Sequence, residues 1–251
     1  MSVTLQQLLE EAQDRVDSGY YDAVGESRSH VSMSAALKGN GLQVMAEIKM
    51  ASPSAGKISS RPGLELMEIY LQGGAGALSV LTEPDHFQGS IGALRAACST
   101  SLPVLMKDFI VDERQLEAAS RCGAAAVLLI HEAAPEADIR RMISRAHELN
   151  LEVVLESCSV EGMRDSLRSE ADVIALNQRD LRNMLVDNTS CVRILPQLKR
   201  DERPLLVMSG INTVADALLA RRSGADAILV GSWLASAAHP QQLLRSLGAV
   251  E

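Results

Sequence analysis

PVLMKDFIVDERQLEAASRCGAAAVLLIH, residues 103–131, is the stretch that decides how this chain folds. It opens with PVLMKD (103–108), an apolar run too short for a typical helix and rich in the aliphatic residues of a strand buried on both faces. Next comes DERQLEAASRCG (112–123), where Leu116, Ala119 and Cys122 recur every third residue and Gly123 supplies a stop. A second apolar run, AAVLLIH (125–131), follows at once. Strand, helix and strand in this order predict a parallel pair joined by a right-handed helical crossover.

The same alternation extends in both directions. The predicted strands are VMAEIKM (44–50), ALSVLTE (77–83), PVLMKD (103–108), AAVLLIH (125–131), EVVLES (152–157), DVIALNQ (172–178), PLLVMSG (204–210) and AILVGS (227–232). EADIRRMISRAHELN (136–150) and TVADALLARRSG (213–224) carry the helical period between them. Gly76-Ala77, Gly123-Ala124, Glu170-Ala171 and Gly224-Ala225 each close a helix before an apolar strand, about two βα units apart. Such units either close on themselves or lie open as a doubly wound sheet. No GxGxxG follows the first strand, and polar residues sit at the ends of many strands rather than at one switch point. The expectation is an α/β chain forming a single (β/α)8 TIM barrel over 44–251, with an N-terminal helical extension over 1–43. In that extension LQQLLEEAQDRV is amphipathic, and SMSAALKGN predicts a second short helix ended by Gly39 or Gly41. Periodicity leaves open whether the extension caps the barrel's bottom or folds over its mouth.

Composition narrows the function classes. The 251 residues are 47% hydrophobic and 22% charged, ordinary values for a globular chain that buries a sizeable core. A net charge of −8, with no Lys/Arg cluster interleaved with aromatics, argues against nucleic acid and anionic membranes as partners. Any anionic ligand then needs a local positive pocket. No apolar stretch reaches the length of a membrane span, and the acidic, amphipathic start does not read as a secretory signal. Cys98, Cys122, Cys158 and Cys191 are far apart, as expected of reduced thiols in a cytoplasmic protein. The five histidines form no ligand-spaced pair, so no metal site is expected.

Barrel enzymes place their chemistry where the strands run out at the C-terminal face. The first strand ends with Glu47 and Lys49, which the two-residue period puts on one face. The third ends in Lys107, the fifth in Glu156, and the sixth in Asn177 with Arg179. One such group alone is as easily a surface charge. Several strand ends carrying them inside apolar runs point to a site, because buried charges are costly unless paired or serving a ligand. Lys107 is suited to protonate a leaving hydroxyl, and Glu156 to exchange protons with the substrate. The last two strands end differently, in Ser209-Gly210 and Gly231-Ser232, each before a helical segment. Glycine there lets backbone N–H groups approach an anion, so these ends form a candidate phosphate cradle.

The runs MAEIKMASPSAGKI, LTEPDHFQGS, PVLMKDFIVDERQ, ALNQRDL, SGI and VGSWL resemble the indole-3-glycerol phosphate synthases of tryptophan biosynthesis, over about residues 42 to 236. Both phenylalanines, Phe87 and Phe109, fall inside these motifs, which in so aromatic-poor a chain suggests contact with an aromatic ligand. The resemblance implies a cofactor-free ring closure of a phosphorylated small molecule, with loss of carbon dioxide and water. It implies Lys107 as general acid at the sugar carbonyl and Glu156 as the acid/base partner of the dehydration. Glu47 and Lys49 would orient and polarise the substrate, Asn177 would meet sugar hydroxyls, and Arg179 would stand by the anthranilate carboxylate. Ser52, Ser209, Gly210, Gly231 and Ser232 would surround the phosphate, and Phe109 and Leu128 would wall the ring. Another enzyme of the same pathway is a possible partner.

Two positions depart from the family pattern. Met208 stands where an ESGI motif has glutamate, and Ser157-Cys158 follows Glu156 where Val-His is usual. Losing a carboxylate leaves the lysines one counter-charge short, so a lowered lysine pKa is expected. Beside an active synthase, two alternatives stand: a relative acting on another phosphorylated substrate, and a non-catalytic barrel that binds phosphate ligands. Phosphoribosylanthranilate isomerase is set aside, since it would want a cysteine near the end of the first strand.

Overall fold

Eight parallel strands close into a barrel in the computed structural model, which describes residues 3–22, 31–52 and 56–250. They are β1 (Gln43–Ile48), β2 (Ala77–Leu81), β3 (Val104–Lys107), β4 (Ala126–Ile130), β5 (Glu152–Ser157), β6 (Val173–Asn177), β7 (Leu205–Met208) and β8 (Ala227–Val230). Each pairs with its sequence neighbours, and β8 returns to β1 with Gln43 opposite Ala227 and Met45 opposite Leu229. Most strands are shorter than the apolar runs that predicted them, because residues such as Lys49, Asp108 and Ser209 leave the ladder for the rim loops.

Local signals set the helices between the strands. Asp112 caps the helix Glu113–Cys122 and forms a capping box with Gln115, and Gly123 ends it in the left-handed conformation at φ 84°. The helix Gly63–Gly73 ends at Gly74, φ 85°, two residues before the Gly76 stop expected from sequence. Aliphatic side chains on the outer faces of the strands and the inner faces of these helices form the larger hydrophobic cluster.

The barrel interior is a smaller, separate cluster. Odd-numbered strands send Met45, Leu105, Val154 and Leu206 inward, and even-numbered strands send Ala77, Ala126, Leu128, Val173, Ala175, Ala227 and Leu229. Side chains from the two sets of strands alternate in layers, as in a filled barrel. Two residues further along each odd strand, the same face carries Glu47, Lys107, Glu156 and Met208. These four form the next layer, at the mouth.

The N-terminal segment reaches both ends of the barrel. Met33 and Leu37 are fully buried in the interior cluster, and the Ser32 hydroxyl and Ser34 N–H each donate to Glu152, at the start of β5, over 2.6 Å. The short helix Met33–Ala36 therefore plugs the bottom. The first helix, Leu5–Asp17, lies across the mouth and buries Leu5, Leu8, Ala12 and Val16. Arg15 reaches Glu83 and Asp85 at 3.2 Å, while the Tyr20 and Tyr21 hydroxyls donate to the Thr82 carbonyl and the Asp108 carboxylate, each over 2.9 Å. Truncating the plug by Met33→Ala should cost about 2–5 kcal/mol of stability, the usual range for emptying a core site of this size. Chemical denaturation would read that loss.

Candidate active site

A cavity of about 250 Å³ opens at the C-terminal mouth of the barrel. Glu47, Lys49, Lys107, Glu156, Asn177 and Arg179 all line it, as do Phe87, Phe109, Leu128, Ser209, Gly210, Gly231 and Ser232. Ser52 belongs to a two-residue strand paired with Gly56–Lys57, but its side chain lies outside the described residues, as do residues 53–55 of the same loop. His131, at the end of β4, does not line the cavity; its ring pairs with Asp165 at 3.5 Å.

Glu47 is the hub of the charged cluster. Its two oxygens hold the Lys49 and Lys107 ammonium groups, each at 3.2 Å. Burial opposes ionisation of this carboxyl, yet the two ammonium groups prevail and lower its pKa to about 2. One carboxylate thus faces two cations, and the triad carries a surplus positive charge inside an acidic protein. For Lys107, burial favours the neutral amine, but Glu47 and then Glu156 outweigh it and raise its pKa. This corrects the expectation of a lowered lysine pKa drawn from the missing carboxylate. At Lys107, the carboxylates that remain suffice.

Glu156 behaves in the opposite way. Burial dominates, Lys107 and the Asn177 amide pull back only in part, and the pKa rises to about 7. Asn177 Nδ2 donates to Glu156 Oε1 over 3.3 Å, while Oε2 is buried without a hydrogen-bond partner among the described residues. A carboxyl poised near neutrality beside a firmly protonated lysine is a pair suited to moving protons in sequence.

Met208 fills the fourth place in this layer. It is 1% exposed, lines the cavity, and joins Leu206 and Leu229 of the interior cluster. No third carboxylate therefore faces Glu156 from β7.

The aromatic wall stands on the side of β2 and β3. Phe87 and Phe109 lie with ring centroids 6.2 Å apart and planes tilted by 43°, and the Lys49 ammonium sits 5.7 Å from the Phe87 centroid. Leu8, from the helix across the mouth, also lines the cavity. Across from them, Arg179 donates to the Met184 carbonyl over 2.9 Å and, among the described residues, pairs with no carboxylate. Burial lowers its pKa, as expected of a cation lacking a counter-ion.

After β7 and β8 the chain turns sharply. Ser209 and Gly210 both take positive φ, 65° and 73°. Gly231 meets a second constraint besides the one its position suggested: a Cβ there would stand 2.3 Å from Glu47 Oε1. Gly231→Ala should therefore displace the carboxylate that holds both lysines. Misplacement on this scale is expected to lower kcat by about 100-fold, read by steady-state kinetics beside an unchanged circular dichroism spectrum.

Several cavity residues escaped the sequence reading. Leu8 was legible as one face of an amphipathic helix, but its destination was not. Leu181, Met184 and Val186 come from the loop after β6, which has no periodicity. Asp108 was hidden beside Lys107; it is buried, accepts from Tyr21, Thr82 and the Phe109 N–H, and burial raises its pKa to about 6.

The barrel is shared with thiamine phosphate pyrophosphorylase from Pyrococcus furiosus, with a TM-score of 0.61 over 82% of this chain and 93% of that one; at 17% identity the likeness is one of fold. A family model for indole-3-glycerol phosphate synthase matches residues 3–247. An indole-3-glycerol phosphate synthase of Methanopyrus kandleri is 35% identical, with 97% of each chain covered. One from Methanothermobacter marburgensis is 39% identical over 85% of this chain and 77% of its own length. With both the extension and the barrel inside the matched region, the chain belongs to the indole-3-glycerol phosphate synthase family.

Proposed function

We propose that this chain closes the indole ring of indole-3-glycerol phosphate from 1-(2-carboxyphenylamino)-1-deoxyribulose 5-phosphate, a carboxy-lyase reaction of tryptophan biosynthesis. The observation that carries the reading is the layer formed by Glu47, Lys107 and Glu156: a protonated lysine held by an ionised carboxylate, opposite a carboxyl poised near neutrality.

The Lys107 ammonium gives its proton to the sugar carbonyl oxygen as the ring carbon bearing the carboxylate attacks the carbonyl carbon. Carbon dioxide then leaves, and its bonding electrons restore the aromatic ring. Glu156, in its acid form, protonates the new hydroxyl, which departs as water. The neutral Lys107 amine takes the proton from the adjacent carbon, regaining its charge and completing the indole.

Glu47 and Lys49 orient the substrate, Asn177 bonds its hydroxyls, and Arg179 receives the anthranilate carboxylate. Phe87, Phe109 and Leu128 wall the ring. Ser209, Gly210, Gly231 and Ser232, with Ser52 beside them, enclose the phosphate. The reading treats residues 1–43 as an extension of the barrel over 44–251 and places the chain in the cytoplasm, beside the enzymes that supply its substrate and take its product.

Met208 favours a second reading, a barrel that binds the phosphorylated ligand and turns it over poorly. Genetic complementation separates the two. A strain lacking the synthase should grow without tryptophan when it carries this chain, and should not when it carries Lys107→Ala. Failure of the unaltered, expressed chain to support growth would sink the first reading.

A further inference from the structure

Behind the aromatic wall lies a second cavity of about 290 Å³, outside the barrel. It sits between the outer faces of β1 and β2 and the helices Gly63–Gly73 and Ile91–Cys98. Its lining is almost wholly apolar, with Ile48, Met50, Met67 and Val80 as its floor and Gly92, Ala93 and Ala96 leaving it deep on the helix side. Two residues, Leu81 and Phe87, line both this cavity and the substrate cavity. Leu81 ends a strand, whereas Phe87 belongs to the loop after β2, so its ring is the separable part of the partition.

The loop that carries Phe87 is tightly held. The buried Glu83 carboxylate accepts from the N–H groups of Asp85, His86 and Phe87 over 2.8–3.0 Å and pairs with Arg15 at 3.2 Å. Gln88 takes a positive φ of 54°, and a Cβ at Gly89 would lie 2.3 Å from the Leu81 carbonyl oxygen. These bonds fix the backbone that carries Phe87, so the loop cannot draw back from a larger ligand without losing several of them at once.

We infer that Phe87 sets the size limit on the substrate's aromatic ring, and that the cavity behind it is a latent subsite for an apolar substituent or second fused ring. The inference rests on the proposed ring closure and names the ring size that the site accepts. An apolar extension gains from burial in a lined cavity and loses when a fixed ring occupies its path, and differences of this kind are commonly worth tenfold or more.

The test is binding of two ligands that cannot cyclise because their ketone is reduced to an alcohol: the 2-carboxyphenylamino compound and its 3-carboxy-2-naphthyl homologue. The unaltered protein should bind the phenyl compound and reject the naphthyl one. In Phe87→Ala the ratio of naphthyl to phenyl affinity should rise by about tenfold or more, with Phe87→Leu in between. Refilling the second cavity in the Phe87→Ala background, by Ala96→Phe or Ala93→Leu, should abolish that gain. Either filling change made alone should leave phenyl binding unaltered within about twofold, since both positions are outside the substrate cavity. An unchanged ratio in Phe87→Ala, or a gain that survives refilling, would overturn the inference. Failure of the unaltered protein to bind even the phenyl compound would instead overturn the proposed function together with it.

Discussion

Lys107→Ala is expected to lower kcat by roughly 10³-fold while ligand affinity stays within a few-fold, because a proton donor acts mainly in the chemical step. Position and charge both support a change that large. Lys107 ends β3 and points into the layer shared with Glu47 and Glu156, so no other described cation stands between those two carboxyl groups in that layer. Its removal also withdraws the strongest influence that keeps the Glu156 pKa down, which moves that pKa up from about 7. A second proton carrier is thereby detuned. Titration with the ketone-reduced substrate and single-turnover kinetics would separate binding from chemistry. If affinity fell as far as kcat, Lys107 would be a ligand-holding residue and not the acid.

Glu156→Gln should make the protein more stable and far less active. The native carboxyl has a pKa of about 7, above the ordinary 4.5, so the folded state binds this proton more tightly than the unfolded state. Stability from this group is greatest at low pH and falls as pH rises from the unfolded value through the native one. Above neutrality the folded protein carries a buried carboxylate at a cost of about 3 kcal/mol, which an uncharged amide avoids. Glutamine keeps an oxygen to accept the Asn177 hydrogen bond. The variant should therefore unfold at a higher denaturant concentration than the parent near pH 8, with the difference vanishing near pH 4. Turnover should drop by about 10²–10⁴-fold. In the parent, kcat should decline as pH rises through about 7, because the proposed role needs the protonated acid. A variant both inactive and less stable at high pH would show that Glu156 supports the fold as well as the chemistry.

Much of this was legible in the sequence, for identifiable reasons. Strands buried on both faces must be apolar, so Glu47, Lys107, Glu156 and Asn177 stood out at the ends of their runs. The two-residue period put Glu47 and Lys49 on one face, and the structure turns all four of those strand-end residues into the cavity. The alternation of runs marked eight strands, polar residues at many of their ends favoured a barrel over an open sheet, and the structure closes it with β8 beside β1. The rest depended on contacts between segments distant in the chain. An amphipathic helix shows its apolar stripe without its destination, so Leu5–Asp17 over the mouth and Met33–Ala36 under the floor were equally open. Gly231 was legible as a required glycine, but the Glu47 carboxylate beside it belongs to a strand far away in sequence. The Lys107 pKa shift was misjudged because counting one lost carboxylate ignored the two that remain, Glu47 at 3.2 Å and Glu156.

Met208 is the departure from the family pattern that bears most directly on turnover. With an apolar side chain at the fourth place of the layer, Glu156 meets one carboxylate fewer, and its pKa stays near neutrality instead of climbing higher. Met208→Glu should move the descending limb of the pH profile upward. The most direct measurement is the appearance of indole fluorescence when the purified, unaltered chain meets 1-(2-carboxyphenylamino)-1-deoxyribulose 5-phosphate. The account predicts multiple turnovers with Met208 in place. Substrate that binds without forming product, with turnover appearing only in Met208→Glu, would contradict it.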